Sequence, residues 1–194
     1  MQDQAYLLSN VLLWPIELLA FRRFRQDLLH DLSGRILEVG VGTGKNLPYY
    51  DTGKVQLTGV DLSPGLLRRA RRAAKRLHLA VDLRPMDAER LAFPDQTFDI
   101  VVCTFFLCSV PSPALVLQEM TRVVKPDGRI LMLEHVLSMV PHLARLEHWI
   151  GAHMEPDTLS YIAQSGLWLV EDRKLMLGDI IRRLECRVPL GSGL

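Results

Sequence analysis

One short stretch constrains the fold of this chain more than any other. Residues 36–45 read ILEVGVGTGK, an apolar run that meets a glycine at every second position. Such a run of aliphatic and β-branched residues is typical of a strand buried in a parallel sheet. Because glycine has no Cβ, Gly40, Gly42 and Gly44 let the backbone turn sharply and approach a ligand closely. The stretch predicts a nucleotide-type site at the carboxyl end of the first strand of an open α/β sheet.

The spacing of the glycines disfavours two other nucleotide loops. The dinucleotide fingerprint is G-x-G-x-x-G, but Lys45 stands where its third glycine belongs, which argues against an NAD-binding dehydrogenase. The Walker pattern ends in Gly-Lys-Ser/Thr, whereas Asn46 follows Lys45 and the spacing is too short. What remains is G-x-G-x-G preceded by an acid, Glu38.

Apolar runs and helical patterns are interspersed along most of the chain. The predicted strands are 35–39, 55–60, 80–84, 98–103, 129–133, 167–176 and 180–188, and the predicted helices are 5–32, 65–77, 113–124, 139–154 and 156–164. Buried apolar strands of this kind, with helices between several of them, predict an open, mostly parallel sheet covered by helices. The sequence KPDG at 125–128 predicts a turn before the fifth strand. A short Leu-Gly-Asp connector between the last two strands predicts a hairpin.

Acidic residues follow the second and third predicted strands. In Rossmann-like sheets an acid in the position of Asp61 accepts hydrogen bonds from ribose hydroxyls. The segment from Asp61 to Pro64 also reads as a helix start, and both roles hold if Ser63 is the cap. Asp87 follows the third strand, where a carboxylate can accept from the exocyclic amine of adenine. The alternative for Asp87 is a turn residue.

The fourth and fifth predicted strands end in an apolar loop and a polar pair. The loop at 104–110 leaves the sheet beside the first strand, at the topological switch point where ligands bind. Cys103 and Cys108 fit small buried apolar residues better than nucleophiles. His135 is a candidate general base, a substrate contact or a structural histidine. Glu134 is expected to orient His135 or a nearby backbone group.

The overall composition indicates an ordinary globular domain. With 194 residues and a net charge of +1, the chain is expected to form one compact domain, a helical lid at 1–33 on a domain at 34–194, and not to bind nucleic acid. Three cysteines without metal-ligand spacing predict no metal site and a reducing, cytoplasmic setting. Residues 1–30 lack the pattern of a signal peptide or membrane span.

Two amphipathic segments leave a choice between a structural and a membrane-surface role. The N-terminal helix, interrupted by Pro15, is either a lid packed on the sheet or an interfacial helix that touches a membrane. The basic helix at 65–77 is either a solvated face or a binding surface for anionic lipid head groups or an acidic partner. Peripheral membrane contact therefore stays open.

The motif E-x-G-x-G-T-G resembles the first motif of class I S-adenosylmethionine-dependent methyltransferases. With MDA at 86–88 and FPD at 93–95, the chain resembles the type 11, UbiE-like group. These runs and NLPYY at 46–50 are similar to bacterial phosphatidylethanolamine N-methyltransferases. VVCT at 101–104, LCSV at 107–110 and EHV at 134–136 are similar to the animal thiol methyltransferase branch. Residues 136–166 are short for either branch and lack the Gly-Cys and Thr-Arg elements expected of the thiol branch.

The resemblance implies an α/β, Rossmann-like three-layer sandwich with a seven-stranded, mostly parallel sheet and an antiparallel C-terminal strand. It implies S-adenosylmethionine as cofactor, S-adenosylhomocysteine as product, and a small or lipid-like acceptor. The implied cofactor contacts are Glu38, Gly40, Gly42, Thr43, Gly44, Asn46, Asp61, Leu62, Met86, Asp87, Ala88 and Cys103. The implied catalytic residues are Glu134 and His135, and the implied acceptor pocket is formed by Tyr6, Trp14, Phe105 and Phe106. Alternatives are a phosphatidylethanolamine N-methyltransferase at the membrane surface and a cofactor-binding protein without catalysis.

Overall fold

The computed structural model describes residues 21–135, 158–175 and 181–189. Three helices and five strands are interspersed through the first of these ranges, close to the positions that the sequence predicts. The helices are α1 (Arg22–Leu29), α2 (Pro64–Arg76), α3 (Pro113–Val123) and α4 (Thr158–Gln164). The strands are β1 (Gly34–Val39), β2 (Val55–Asp61), β3 (Val81–Pro85), β4 (Phe98–Thr104), β5 (Val124–His135), β6 (Trp168–Lys174) and β7 (Ile181–Arg187).

The strands form one sheet in the order β3-β2-β1-β4-β5-β7-β6. The pairs among the first five strands are parallel, and β7 runs antiparallel to both β5 and β6. The predicted α/β class, seven strands and antiparallel C-terminal strand are therefore confirmed. Because β1 lies between β2 and β4, the glycine loop emerges near the middle of the carboxyl edge.

Both faces of the sheet are buried, because alternate residues of a strand point to opposite faces. On one face, Leu37 of β1 shares a core with Val116 of α3 and Ile162 of α4. On the other, Ile36 shares a core with Leu29 of α1 and Leu67 of α2. The molecule thus has three layers, and α1 belongs to the same layer as α2.

The start of β5 differs from the sequence prediction. The prediction of a turn at 125–128 and a strand from 129 is wrong in its start, because β5 already begins at Val124. Phe98 pairs with Val124 while Ile100 pairs with Arg129, so extra residues of β5 bulge opposite Asp99. Gly128 permits this bulge, since a Cβ there would lie 2.7 Å from the Asp99 carbonyl oxygen. The turn-forming residues at 125–128 therefore lie in a bulge within β5.

Several predictions fall on residues outside the described ranges. They include most of the N-terminal helix, with Tyr6 and Trp14, the helix at 139–154, and the hairpin connector at 177–179. The described part of the N-terminal helix ends at Leu29. Within the described residues, no helix has the combined length and apolarity that a membrane crossing requires.

Candidate active site

The glycine loop follows β1 with a left-handed backbone. Gly40, Gly42 and Gly44 have φ values of 71°, 55° and 82°. Residues with a Cβ adopt this region at a cost of roughly 1–2 kcal/mol each. The Val60 carbonyl accepts hydrogen bonds from the amides of Gly40 and Val41, which fixes the loop against β2. The sequence-based expectation of an open turn built by glycine is confirmed.

The ring of Phe106 lies directly against Gly40. A Cβ at Gly40 would lie 2.3 Å from Cδ2 of this ring, far inside van der Waals contact. The missing side chain at Gly40 therefore lets the apolar loop after β4 approach the glycine loop. This contact brings a predicted cofactor residue and a predicted pocket residue together at the centre of the carboxyl edge.

Asp61 connects the glycine loop to the start of α2. Its Oδ2 accepts a hydrogen bond from the Gly42 amide at 2.9 Å, and its Oδ1 accepts from the Ser63 amide at 2.8 Å. Ser63 caps α2, with its Oγ accepting from the Leu66 amide at 3.3 Å. The helix-start interpretation is confirmed, and it leaves the ribose interpretation open as a prediction. A carboxylate offers about four acceptor positions, so the helix-start role and a ribose contact are compatible.

Leu62 and the segment after β3 lie beside Asp61. Leu62 is 70% exposed, which is unusual for a leucine next to a buried acid. The Met86 amide donates to the Asp61 carbonyl at 3.2 Å, so the two segments touch. The exposed carboxylate of Asp87 accepts from the Glu89 amide at 2.9 Å, as in a turn, and Ala88 is buried. The adenine role of Asp87 stays a prediction.

A buried polar network lies behind the glycine loop. Glu38 is 2% exposed; its Oε1 accepts from Asn46 Nδ2 at 2.9 Å and its Oε2 accepts from the Tyr50 hydroxyl at 3.0 Å. Burial raises the pKa of Glu38 to about 7, although both hydrogen bonds and the charge of Arg25 oppose the rise. Asn46 is itself buried, so its side chain braces Glu38 and the turn that follows the glycines.

Arg25 of α1 completes this network. Its guanidinium donates to Asn46 Oδ1 and, at 3.3 Å, to Thr104 Oγ1, although 21 and 79 residues separate the partners. It also lies 5.2 Å from the ring centre of Phe105, which packs 5.2 Å from the ring of Phe21. Arg25 is 6% exposed. Helix α1 is thereby attached to the ends of β1 and β4.

Glu134 holds the loop that follows β4. Its carboxylate accepts from the Phe106 amide at 3.1 and 3.2 Å and from the Cys103 thiol at 3.3 Å. Burial raises the pKa of Glu134 to about 7, and burial raises the pKa of Cys103 well above its usual value. The sequence predicts that Glu134 orients either His135 or a nearby backbone group, and in the structure it binds a backbone group, the Phe106 amide. His135 is the last residue of β5 and pairs with Ile181, while its side chain is outside the description.

Phe105 adopts a backbone conformation that bulky residues rarely take. Its φ is 52°, and its amide donates to the Leu133 carbonyl at 2.8 Å. Such strain persists where the surroundings hold it, often at functional sites. Here Arg25, Phe21 and the loop anchored by Glu134 surround the residue.

The structure brings most of the predicted site residues to one edge. Those located there are Glu38, Gly40, Gly42, Thr43, Gly44, Asn46, Asp61, Leu62, Met86, Asp87, Ala88, Cys103, Phe105, Phe106 and Glu134. Sequence reasoning missed Arg25, Tyr50 and Thr104. One signal was present for Arg25, which lies four residues after Phe21 and three before Leu28, on the apolar stripe of its helix. Among the described residues, no group of side chains has the makeup of a metal site.

The sheet order and the glycine loop are those of a Rossmann-like methyltransferase fold. The model of the family described as methyltransferase domain matches residues 37–132. Phosphatidylethanolamine N-methyltransferase of Cereibacter sphaeroides is 38% identical over 157 residues, covering 76% of this chain and 77% of that protein. Thiol S-methyltransferase TMT1B of Rattus norvegicus is 38% identical over 116 residues, which are 56% of this chain and 47% of that protein.

A solved structure supports the fold at lower sequence identity. The S-adenosylmethionine-dependent methyltransferase of Aquifex aeolicus superposes with a TM-score of 0.65 at 17% identity, over 85% of this chain and 87% of that one. The chain spans about half the length of the thiol relative that it matches. It belongs to the S-adenosylmethionine-dependent methyltransferases, within the UbiE-like type 11 group. The expected class of enzyme is therefore confirmed, and the non-catalytic alternative is disfavoured.

Proposed function

We propose that this chain binds S-adenosylmethionine at the carboxyl edge of the sheet and transfers its methyl group to a small or amphiphilic acceptor. The observation that carries the proposal is the joined arrangement of Gly40, Gly42 and Asp61. A glycine turn without Cβ atoms gives a ligand access to the backbone, and the Asp61 carboxylate lies 2.9 Å from the Gly42 amide. This hydrogen bond joins the loop that follows β1 to the last residue of β2.

The side chains at this edge suit the ribose and the adenine of the cofactor. The two oxygens of the Asp61 carboxylate are acceptors of the kind that ribose hydroxyls need. Leu62, exposed beside Asp61, offers an apolar surface to the adenine ring, and Asp87 offers an acceptor to its amine. Glu38 and Asn46 act one step away, because both are buried and brace the glycine loop. Cys103 contributes shape in the same indirect way, since its thiol is bonded to Glu134.

Methyl transfer from this cofactor needs no covalent intermediate with the enzyme. The sulfonium of the bound cofactor activates its own methyl group toward in-line attack. The chain has to orient the acceptor and exclude water, and orientation alone can lower a barrier by about 7–11 kcal/mol. Phe105 and Phe106 supply apolar surface next to the glycine loop, and Tyr6 and Trp14 are proposed to extend it. A thiolate acceptor needs no further help, whereas an amine must lose its proton.

We assign the proton acceptor for an amine substrate to His135. An imidazole titrates near neutral pH, and His135 ends β5 at the edge that carries the site. Glu134 is a positioning residue in this proposal, because its carboxylate is committed to the Phe106 amide and the Cys103 thiol. It shapes the loop that faces the acceptor.

A phospholipid acceptor is the second candidate, and one observation favours it. The phosphatidylethanolamine N-methyltransferase of Cereibacter sphaeroides matches three quarters of this chain and of its own length. The thiol relative matches less than half of its own length. A phospholipid acceptor would place the enzyme at a membrane surface from the cytoplasmic side.

A screen with methyl-labelled S-adenosylmethionine tests the proposal. Thiols, amines, quinols and phosphatidylethanolamine vesicles serve as acceptors, with an Asp61→Ala variant as the impaired enzyme and Arg173→Gln, an exposed change on β6, as the matched control. We expect label on one acceptor class, lost in Asp61→Ala and kept in the control. Label on none of the four classes, with the cofactor bound, would contradict the proposed acceptor range.

A further inference from the structure

Helix α2 carries the strongest local charge on the described surface. Its thirteen residues include five arginines and one lysine and no acid. At about 100° per residue, five of the cations fall within an arc of about 120° opposite the buried residues Leu67, Ala70 and Ala74. These five form the α2 basic face: Arg68, Arg69, Arg72, Lys75 and Arg76, all exposed.

The α2 basic face is not neutralised within the part of the chain that the structure describes. None of its five side chains has a hydrogen bond or an ion pair to a described residue. Arg71, the sixth cation, is turned toward the sheet and donates to the Leu83 carbonyl at 2.8 Å. The nearby carboxylate of Asp82 on β3 is already paired with Arg84 at 2.6 Å. The net charge of the whole chain is only +1, so this cluster of cations is a local excess of positive charge.

An exposed leucine follows the basic face. Leu77, just after the helix, is 40% exposed. A cluster of cations with an apolar side chain beside it matches a layer of anionic head groups above an apolar interior. The helix contains no aromatic residue, so it lacks the stacking surface with which proteins hold unpaired bases.

We propose that the α2 basic face docks on an anionic lipid bilayer. Helix α2 begins at Pro64, directly after the Asp61–Ser63 connection. Docking through its outer face therefore places the start of α2, which adjoins the carboxyl edge of the sheet, at the head groups. This inference goes beyond the proposed function, since adsorption requires no methyl transfer and is measured without it. A failure here leaves the methyl-transfer proposal standing, and the reverse also holds.

Vesicle co-sedimentation of the full chain tests the proposal. Vesicles of phosphatidylcholine and phosphatidylglycerol are compared with phosphatidylcholine alone, at low and at physiological salt. We expect binding to the anionic vesicles that weakens with salt, because surface electrostatics are screened. Equal binding to both kinds of vesicle would overturn the proposal.

Paired variants locate the surface. Arg68→Gln with Arg72→Gln removes two cations of the face, and each cation contributes roughly fivefold to the affinity for an anionic surface. We therefore expect a loss of about 25-fold. Arg90→Gln with Arg173→Gln removes the same charge from exposed positions elsewhere and is expected to retain binding. Arg68→Lys with Arg72→Lys keeps the charge and is also expected to bind.

Three results would contradict the assignment. One is an equal loss in the Arg90 and Arg173 control, which would indicate a general charge effect. Another is full binding by the Arg68→Gln, Arg72→Gln protein, which would place the contact elsewhere in the chain. The third is tighter binding to a structured RNA than to the vesicles, lost in the same variant, which would make the face a nucleic-acid surface. Circular dichroism of each variant checks that the protein retains its overall helix content.

Discussion

Replacing Arg25 with methionine tests the network that attaches α1 to the site. The change keeps an unbranched side chain but removes the guanidinium that donates to Asn46 and Thr104. Hydrogen bonds from charged groups contribute roughly 1.5–3 kcal/mol each, and breaking a buried charged network typically costs about 3–5 kcal/mol. Since methionine still fills part of the space, we expect Arg25→Met to lower the unfolding free energy by about 3 kcal/mol.

This loss should depend on pH in a definite direction. Arg25 favours the ionised form of Glu38, whose pKa is raised to about 7 by burial. At a pH below that pKa, Glu38 is protonated in the folded protein and carries no negative charge for Arg25 to stabilise. Above it the carboxylate is ionised and depends on Arg25. The destabilisation by Arg25→Met is therefore expected to be larger at about pH 9 than at about pH 5.

Urea unfolding followed by circular dichroism measures both effects, provided that the slope with denaturant is unchanged. Arg23→Met is the matched control, because Arg23 is an exposed neighbour on the same helix; its loss should stay within about 0.5 kcal/mol. In a protein that already carries Asn46→Ala, Arg25→Met should cost less, by a coupling of about 0.5–3 kcal/mol. A loss no larger than that of Arg23→Met would refute the reasoning.

Three further changes probe the same edge. In the folded protein the pKa of Glu134 is raised from 4.5 to about 7, so the folded state holds a proton that the unfolded state has lost, and the unfolding free energy falls as pH rises between those values, by up to about 3 kcal/mol. Glu134→Gln should remove this part of the pH dependence of the unfolding free energy, measured by urea unfolding. An unchanged pH dependence would contradict the assignment to Glu134. Gly40→Ala should lower the unfolding free energy by about 2–5 kcal/mol, because alanine is strained in the left-handed region and its Cβ collides with Phe106. The control Gly166→Ala should lower it by about 1–2 kcal/mol, because the φ of 77° is strained there but no atom lies near the added Cβ. Equal losses in the two variants would contradict the contact between Gly40 and Phe106. His135→Ala should slow methyl transfer to an amine acceptor by about a hundredfold or more and leave methyl transfer to a thiol almost unchanged. An equal effect on both acceptors would exclude His135 as the general base.

The part of the site that local sequence determines was predictable. Three glycines at alternate positions after an apolar run permit one kind of turn, and Asp61 and Ser63 follow a helix-start pattern that the structure confirms. The buried apolar runs likewise predict the parallel strands, and the short connector between the last two strands predicts the antiparallel end. In each case the physical cause lies within a few neighbouring residues.

The buried charges could not be read in the same way. Arg25, Asn46 and Thr104 lie far apart in the chain, and a guanidinium is buried only where such distant acceptors converge. The pattern of a helix shows which face is apolar, but not that one position on this face is an arginine with partners. The bulge in β5 has the same origin, since the turn residues at 125–128 are held in the strand by their contacts with Asp99.

Calorimetric titration with S-adenosylmethionine tests the central claim most directly. Asp61→Ala removes the proposed ribose acceptor, and Asp82→Ala removes an exposed acid of the adjacent strand β3 as the matched control. We expect binding to the unmodified protein, at least tenfold weaker binding by Asp61→Ala, about 1.4 kcal/mol or more, and unchanged binding by Asp82→Ala. An Asp61→Ala protein that is folded and binds S-adenosylmethionine with undiminished affinity would contradict the assignment of the glycine loop and Asp61 as its site.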